Sequence, residues 1–158
     1  MLTKSNTIIK SLIFTLIMLT ISIASCEKKV TPSSSFNPTS VSGAEQINIP
    51  ISKIADGKAH FYKYTKNNID IKFFVLKSSD GIFRAAFDAC DVCWKAGKGY
   101  KQVGDNMICR NCGRAFASKM VNEIEGGCNP APLKRKVING NLEIKVTDII
   151  AGSRFFQL

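Results

Sequence analysis

Histidine is almost missing from this 158-residue chain, and acidic side chains are scarce. The one imidazole, His60, lies in an aromatic stretch with no partner at ligand spacing, so a surface or core role is expected for it. No nucleophile–base arrangement is visible, and the chain is not expected to be an enzyme. No apolar run reaches the ~20 residues that a membrane-spanning helix needs. A long amphipathic helix is also lacking; Ala115 to Ile124 is a weak candidate. What remains is 45% apolar and 22% charged residues, which excludes collagen-like, coiled-coil and fully disordered classes. The length suits one domain and leaves no room for a multi-span membrane protein. Lys+Arg number 22 against 12 Asp+Glu, a net charge of +10. Such a balance fits nucleic acid, an anionic membrane or an anionic cofactor.

The N-terminus narrows these options. Lys4 and Lys10 precede an apolar stretch, Ser11 to Ile23, that is too short to span and fits an export signal. It ends in Ile23-Ala24-Ser25-Cys26, which resembles a bacterial lipoprotein processing site, with Cys26 as the lipidated residue. The alternative is an N-terminal anchor followed by a chance cysteine. With residues 1–25 removed, the charge becomes +10 minus 2, or +8. The expected protein is extracytoplasmic and held on a bacterial membrane by its lipid, and export argues against nucleic acid as partner. Residues 26–45 carry Pro32, Pro38, Gly43 and several serines without periodic apolar positions, and read as a flexible tether.

Residues 46–158 read as a mainly β domain, a single antiparallel β fold. Ile47, Ile49 and Ile51 alternate with Asn48, Pro50 and Ser52. Ala59 to Thr65, Ile69 to Leu76 and Ile82 to Phe87 are strand-like, with Asn67-Asn68 and Ser79-Asp80-Gly81 as turns. Asn139-Gly140, between Lys136–Ile138 and Leu142–Val146, is a tight-turn dipeptide that tolerates positive φ.

The chemistry sits in Cys90-Asp-Val-Cys93 and Cys109-Arg-Asn-Cys112, a C-x2-C-x15-C-x2-C pattern. Two residues between cysteines let both sulfurs of a tight turn face one centre, and two such turns supply four thiolates in a tetrahedral set. Gly97, Gly99 and Gly104 let the intervening chain double back. Zinc and iron–sulfur clusters both accept four thiolates. Two rival readings use the same residues. Structural disulfides suit an exported protein, but a C-x2-C bridge closes too small a loop to stabilise much. A thiol–disulfide oxidoreductase needs its first thiol at a helix N-terminus, and no convincing helix follows Cys90. Seven basic residues from Arg84 to Lys119 face only Asp88, Asp91 and Asp105, and would offset a thiolate centre's negative charge. Gly126-Gly127-Cys128-Asn129-Pro130 is a rigid loop whose Cys128 is a fifth thiol, a replacement ligand or a buried small residue. Trp94, the sole tryptophan, either packs or shields a metal from water.

Phe87-Asp-Ala-Cys90-Asp-Val-Cys93, Gly99-Tyr100, Met107-Ile-Cys109-Arg-Asn-Cys112-Gly113 and Gly126-Gly127-Cys128-Asn129-Pro130 together resemble the FtrD-like family of membrane iron–sulfur proteins. The resemblance implies an extracytoplasmic cluster- or metal-binding domain that transfers electrons, linked to iron uptake through an iron permease and redox partner proteins. Many relatives carry this domain on a multi-span protein, so here any transport would lie in partners. A looser likeness is to Rieske domains, β folds with two ligand loops and a third, proline-rich loop. Those use two histidines where Cys93 and Cys112 stand here. Together the readings give an iron–sulfur electron carrier ligated by Cys90, Cys93, Cys109 and Cys112, with a structural Zn2+ lipoprotein module and a dithiol enzyme as alternatives.

Overall fold

A computed structural model describes residues 38–42 and 45–158. The signal segment, Cys26 and most of the tether range lie outside the described residues. The described chain is mainly β, in three small sheets. The central sheet orders β1 (Thr39–Ser40), β3 (His60–Lys66), β4 (Ile69–Lys77) and β5 (Phe83–Phe87) side by side. A second sheet orders β2 (Gln46–Pro50), β10 (Asn141–Lys145) and β9 (Lys136–Ile138). The third orders β6 (Tyr100–Val103), β7 (Asn106–Cys109) and β8 (Ala115–Ala117). One short helix, α1 (Val146–Ala151), follows β10.

Pairing is antiparallel throughout except between β1 and β3, where Thr39 lies opposite Tyr62 in parallel register. This strand falls inside the stretch read as tether. Two polar residues carry no strand signal of their own, and the main-chain bond from Val41 N–H to the Lys63 carbonyl (2.9 Å) extends the pairing.

Strand β4 explains the layering. Ile71, Phe73 and Val75 project from one face and Phe74 and Leu76 from the other, and all five are fully buried. Alternation with period two therefore feeds two cores. The first joins Ile71, Phe73 and Val75 to Ile47, Ile49, Leu142 and Ile144 of the second sheet and to Ile149 and Phe155 near the C-terminus. The other joins Phe74, Leu76 and Ala86 to Tyr100, Met107 and Cys109 of the third sheet. Full burial of a side chain of this size contributes about 1.5–3 kcal/mol. The second core is also the floor of the cysteine site.

The turns follow their sequence. Asn67 and Asn68 take φ of 49° and 61°, and Asn139 and Gly140 take 49° and 75°, the left-handed pair that a two-residue hairpin requires. Ala115–Ile124 is not helical: it forms β8 and a 3-10 turn over Ser118–Met120.

One edge of β5 is covered by side-chain and loop groups rather than by a strand. Asn122, with φ of 68°, presents its amide to Ala85: its Oδ1 accepts from Ala85 N–H at 3.0 Å and its Nδ2 donates to the Ala85 carbonyl at 2.6 Å. Arg84, almost fully buried, donates to the Ser78 hydroxyl, the Val121 carbonyl, Asp80 and Glu123. Bonds from Ser78 and Arg84 hold the Asp80 carboxyl down to about 2. The Arg84 charge is thus neutralised in this network rather than lent to the cysteines. These contacts fix the chain entering residues 126–130. Asn122→Ala leaves the Ala85 N–H unpartnered and forces alanine into the left-handed region, an expected loss of about 2–4 kcal/mol by denaturant melt. Asn122→Gly should recover only the backbone part.

Candidate metal centre

Three loops meet over the second core. The first leaves β5 and carries Asp88 to Gly99. It is tied down at its root, where Asp88 N–H donates to the Lys72 carbonyl at 2.9 Å. The second is the turn from β7 to β8, where Gly113 takes φ of 73° and donates to the Cys109 carbonyl at 2.9 Å. The third runs through Gly126, Gly127 and Cys128. Ala131 N–H, just beyond it, donates to the Ala89 carbonyl at 2.9 Å, one residue from Cys90. All five cysteines on these loops are free thiols.

The loops bring all five into one patch. The sulfurs of Cys90, Cys93 and Cys128 lie within 4.8 Å of one another, and so do those of Cys93, Cys109 and Cys112. Cys93 belongs to both groups. The four cysteines of the two C-x2-C pairs are therefore brought together, and Cys128 joins them. His60 lies apart, its Nε2 on Asp56 at 2.8 Å. Cys90 and Cys109 are buried, Cys93 and Cys128 half-buried and Cys112 exposed.

Main-chain amides point at the sulfurs, because each C-x2-C segment turns back on itself. Cys93 N–H donates to the Cys90 sulfur at 3.2 Å. Burial pushes the Cys109 thiol up to about 11, against the pull of N–H groups from Cys112 and Asn111. The Arg114 N–H, aided by Cys109, brings the exposed Cys112 thiol down to about 7. The Asn111 side chain favours the Cys93 thiolate, yet burial and neighbouring thiols leave that thiol raised. Burial likewise raises Cys128. Crowded thiols resist ionising together in the absence of a cation; a bound metal reverses that balance.

Tyr100 locks the arrangement. Its N–H donates to Asp88 Oδ1 at 2.6 Å, its carbonyl accepts from Arg110 Nε at 2.9 Å, and its hydroxyl donates to the Cys128 carbonyl at 2.6 Å. Its ring packs between Phe74 and Phe116. The sequence marks Gly99-Tyr100 as part of a motif; the three-way bonding, and the contact of Asn111 with Cys93, carry no sequence signal. Trp94 is half-buried, packs on the first core and borders a cavity of about 510 Å³ beside Cys90, Cys93 and Cys109.

Asp88 is buried next to the site, and desolvation pushes its carboxyl up to about 7, opposed by the Tyr100 N–H and by Arg110 and Lys72. Raising a carboxyl above its unfolded value of 3.8 makes ionisation oppose folding. The penalty is absent below about pH 4, grows as pH rises and is complete above about pH 7. Asp88→Asn keeps the acceptor for Tyr100. In metal-free protein it should raise the melting temperature at pH 8 and leave it unchanged at pH 3.5; equal gains at both values contradict this account.

The sequence matches the family described as "Membrane iron-sulfur containing protein FtrD-like" over residues 54–156, well over half of the chain. The chain belongs to this family. The FtrD-like match takes in all three loops and all five clustered cysteines. Their donor chemistry fits a thiophilic metal or an iron–sulfur group: free thiols, amides aimed at sulfur and no histidine among the clustered groups. A search of curated proteins finds no match. Among solved structures, the chain is similar to the quaternary ammonium Rieske monooxygenase CntA, with 14% identity and a TM-score of 0.41. That match covers 65% of this chain and 31% of the monooxygenase, so this chain spans under a third of that protein's length. A likeness this loose assigns no role to any residue. No described helix is long and apolar enough to cross a membrane.

Proposed function

We propose that this chain is a lipid-anchored, extracytoplasmic electron carrier with an iron–sulfur centre on Cys90, Cys93, Cys109 and Cys112, serving redox and iron-permease partner proteins rather than acting as an enzyme. The observation that carries the reading is the convergence of both C-x2-C pairs, through Cys93, on one patch in a chain of the FtrD-like family. An iron–sulfur centre accepts and returns single electrons when bound. The chain's own groups do the rest. Cys90 and Cys109 anchor from the buried side, and Cys112 lies at the solvent edge. Amides of Cys93, Asn111, Cys112 and Arg114 stabilise the thiolates, and hydrogen bonds to sulfur raise a centre's potential. Trp94 and Tyr100 line the cavity on the inner side of the cysteines. Lys95, Lys98 and Arg114 flank the loops and would steer an acidic redox partner.

Anaerobically purified protein should show visible absorption that bleaches on reduction, together with an EPR signal. A colourless chain with one zinc would instead favour the structural-zinc reading. That reading draws on the same closely spaced sulfurs, which suit a tetrahedral ion. Rapid alkylation of the native thiols without a chelator would favour dithiol exchange. Anchoring is tested separately: Cys26→Ser should release an intact, equally stable protein from membranes, read by fractionation.

A further inference from the structure

Five thiols meet where four ligands suffice. Cys128 is delivered by construction: its carbonyl takes the Tyr100 hydroxyl, the Asn129 side chain closes the loop on the Gly126 carbonyl at 2.9 Å, and Ala86 bridges to Pro132 just beyond. Buried Cys90 and Cys109 and the shared Cys93 form the fixed part of the set. The remaining two, Cys112 and Cys128, each lie within 4.8 Å of the Cys93 sulfur, one in each of its two groups. Cys112 is the exposed member, the one that water or a chelator reaches first; Cys128, on the other side of Cys93, is half-buried.

We propose that Cys128 is a reserve ligand that exchanges with Cys112, so that the centre survives loss of its solvent-facing bond. The proposal rests on the metal-centre reading above. In the exchange one metal–sulfur bond, to Cys112, breaks and one, to Cys128, forms. The Cys128 thiol gives up its proton as it binds, and the freed Cys112 sulfur takes one up. No electron moves, and the charge of the ligand set is unchanged.

The test compares wild type, Cys112→Ser, Cys128→Ser and the double variant in the full chain. Iron and sulfide per chain, visible circular dichroism and the rate of iron loss to a ferrous chelator are read together, with far-ultraviolet circular dichroism confirming each fold. Cys112→Ser should keep its metal with an altered visible spectrum. Cys128→Ser should keep the wild-type spectrum but lose iron about ten-fold faster. The double variant should hold little metal. The proposal is overturned if Cys112→Ser loses its metal while Cys128→Ser matches wild type. It is equally overturned if Cys128→Ser loses its metal while Cys112→Ser is spectrally unchanged, for Cys128 would then be a permanent ligand. If wild type carries zinc instead of iron, the electron-carrier reading fails alone. The same exchange is then scored by sulfur-to-cobalt charge-transfer bands after Co2+ substitution. Wild type that takes up neither iron with sulfide nor cobalt overturns both.

Discussion

Cys93→Ser is expected to abolish metal binding and to destabilise the protein more than any other single cysteine replacement. Cys93 is the one sulfur common to both three-thiol groups, so its loss leaves no three clustered donors in either. Its sulfur also meets the Asn111 side chain, a contact that the shorter serine hydroxyl does not reproduce. Structural metal binding of this kind supplies on the order of 10 kcal/mol of apparent free energy, and an unmetallated loop layer forgoes it. Loss of at least about 100-fold in affinity and a melt lowered by several kcal/mol should follow. Metal analysis after gel filtration, with thermal melts of the same samples, provides the check. A Cys93→Ser protein that retains full metal and the wild-type melt would mean that the two groups do not share a centre.

Gly99→Ala should be nearly as damaging without touching a thiol. Gly99 takes φ of 64°, where any Cβ is strained. Worse, that Cβ would overlap all three atoms of the Asp88 carboxyl group. Asp88 cannot simply swing away, because its Oδ1 holds the Tyr100 N–H and its own N–H holds Lys72. The displacement would pass through Tyr100 to the Cys128 carbonyl. About 2–4 kcal/mol of stability should be lost, along with weaker metal retention. The companion variant Gly104→Ala tests the packing component. Gly104 also has positive φ, at 56°, but open space around its Cβ position, so it should cost only about 1 kcal/mol. Equal denaturant midpoints for the two variants would remove Asp88 from the account.

Much of this was legible in the residues because the relevant signals are local. Alternation in Ile69 to Leu76 reports a strand, although only the packed structure shows that both its faces are buried. Asn67-Asn68 and Asn139-Gly140 announce hairpins through the rarity of residues that tolerate positive φ. The C-x2-C spacing announces thiols that face one way. Less was legible where the signal is short or long-range. The sheet of β6, β7 and β8 falls in a glycine-interrupted stretch of strands three or four residues long, too brief for a period to register. The helix α1 begins at Val146, which continues the alternation of β10, so the change of period is hidden at its first residue. Arg84 reads as one more basic residue near the cysteines, and its burial depends on Glu123, which lies 39 positions away. That Cys128 reaches the other four depends on Tyr100, Asn122 and Pro132 holding its loop against β5 and β6. Those are tertiary contacts without a sequence pattern.

The most direct test of the central claim is to quantify iron, zinc and acid-labile sulfide on protein purified anaerobically from its native membranes. Iron and sulfide are expected in comparable amounts per chain with little zinc, and both should be lost together in Cys93→Ser. One zinc per chain, with neither iron nor sulfide, would contradict it.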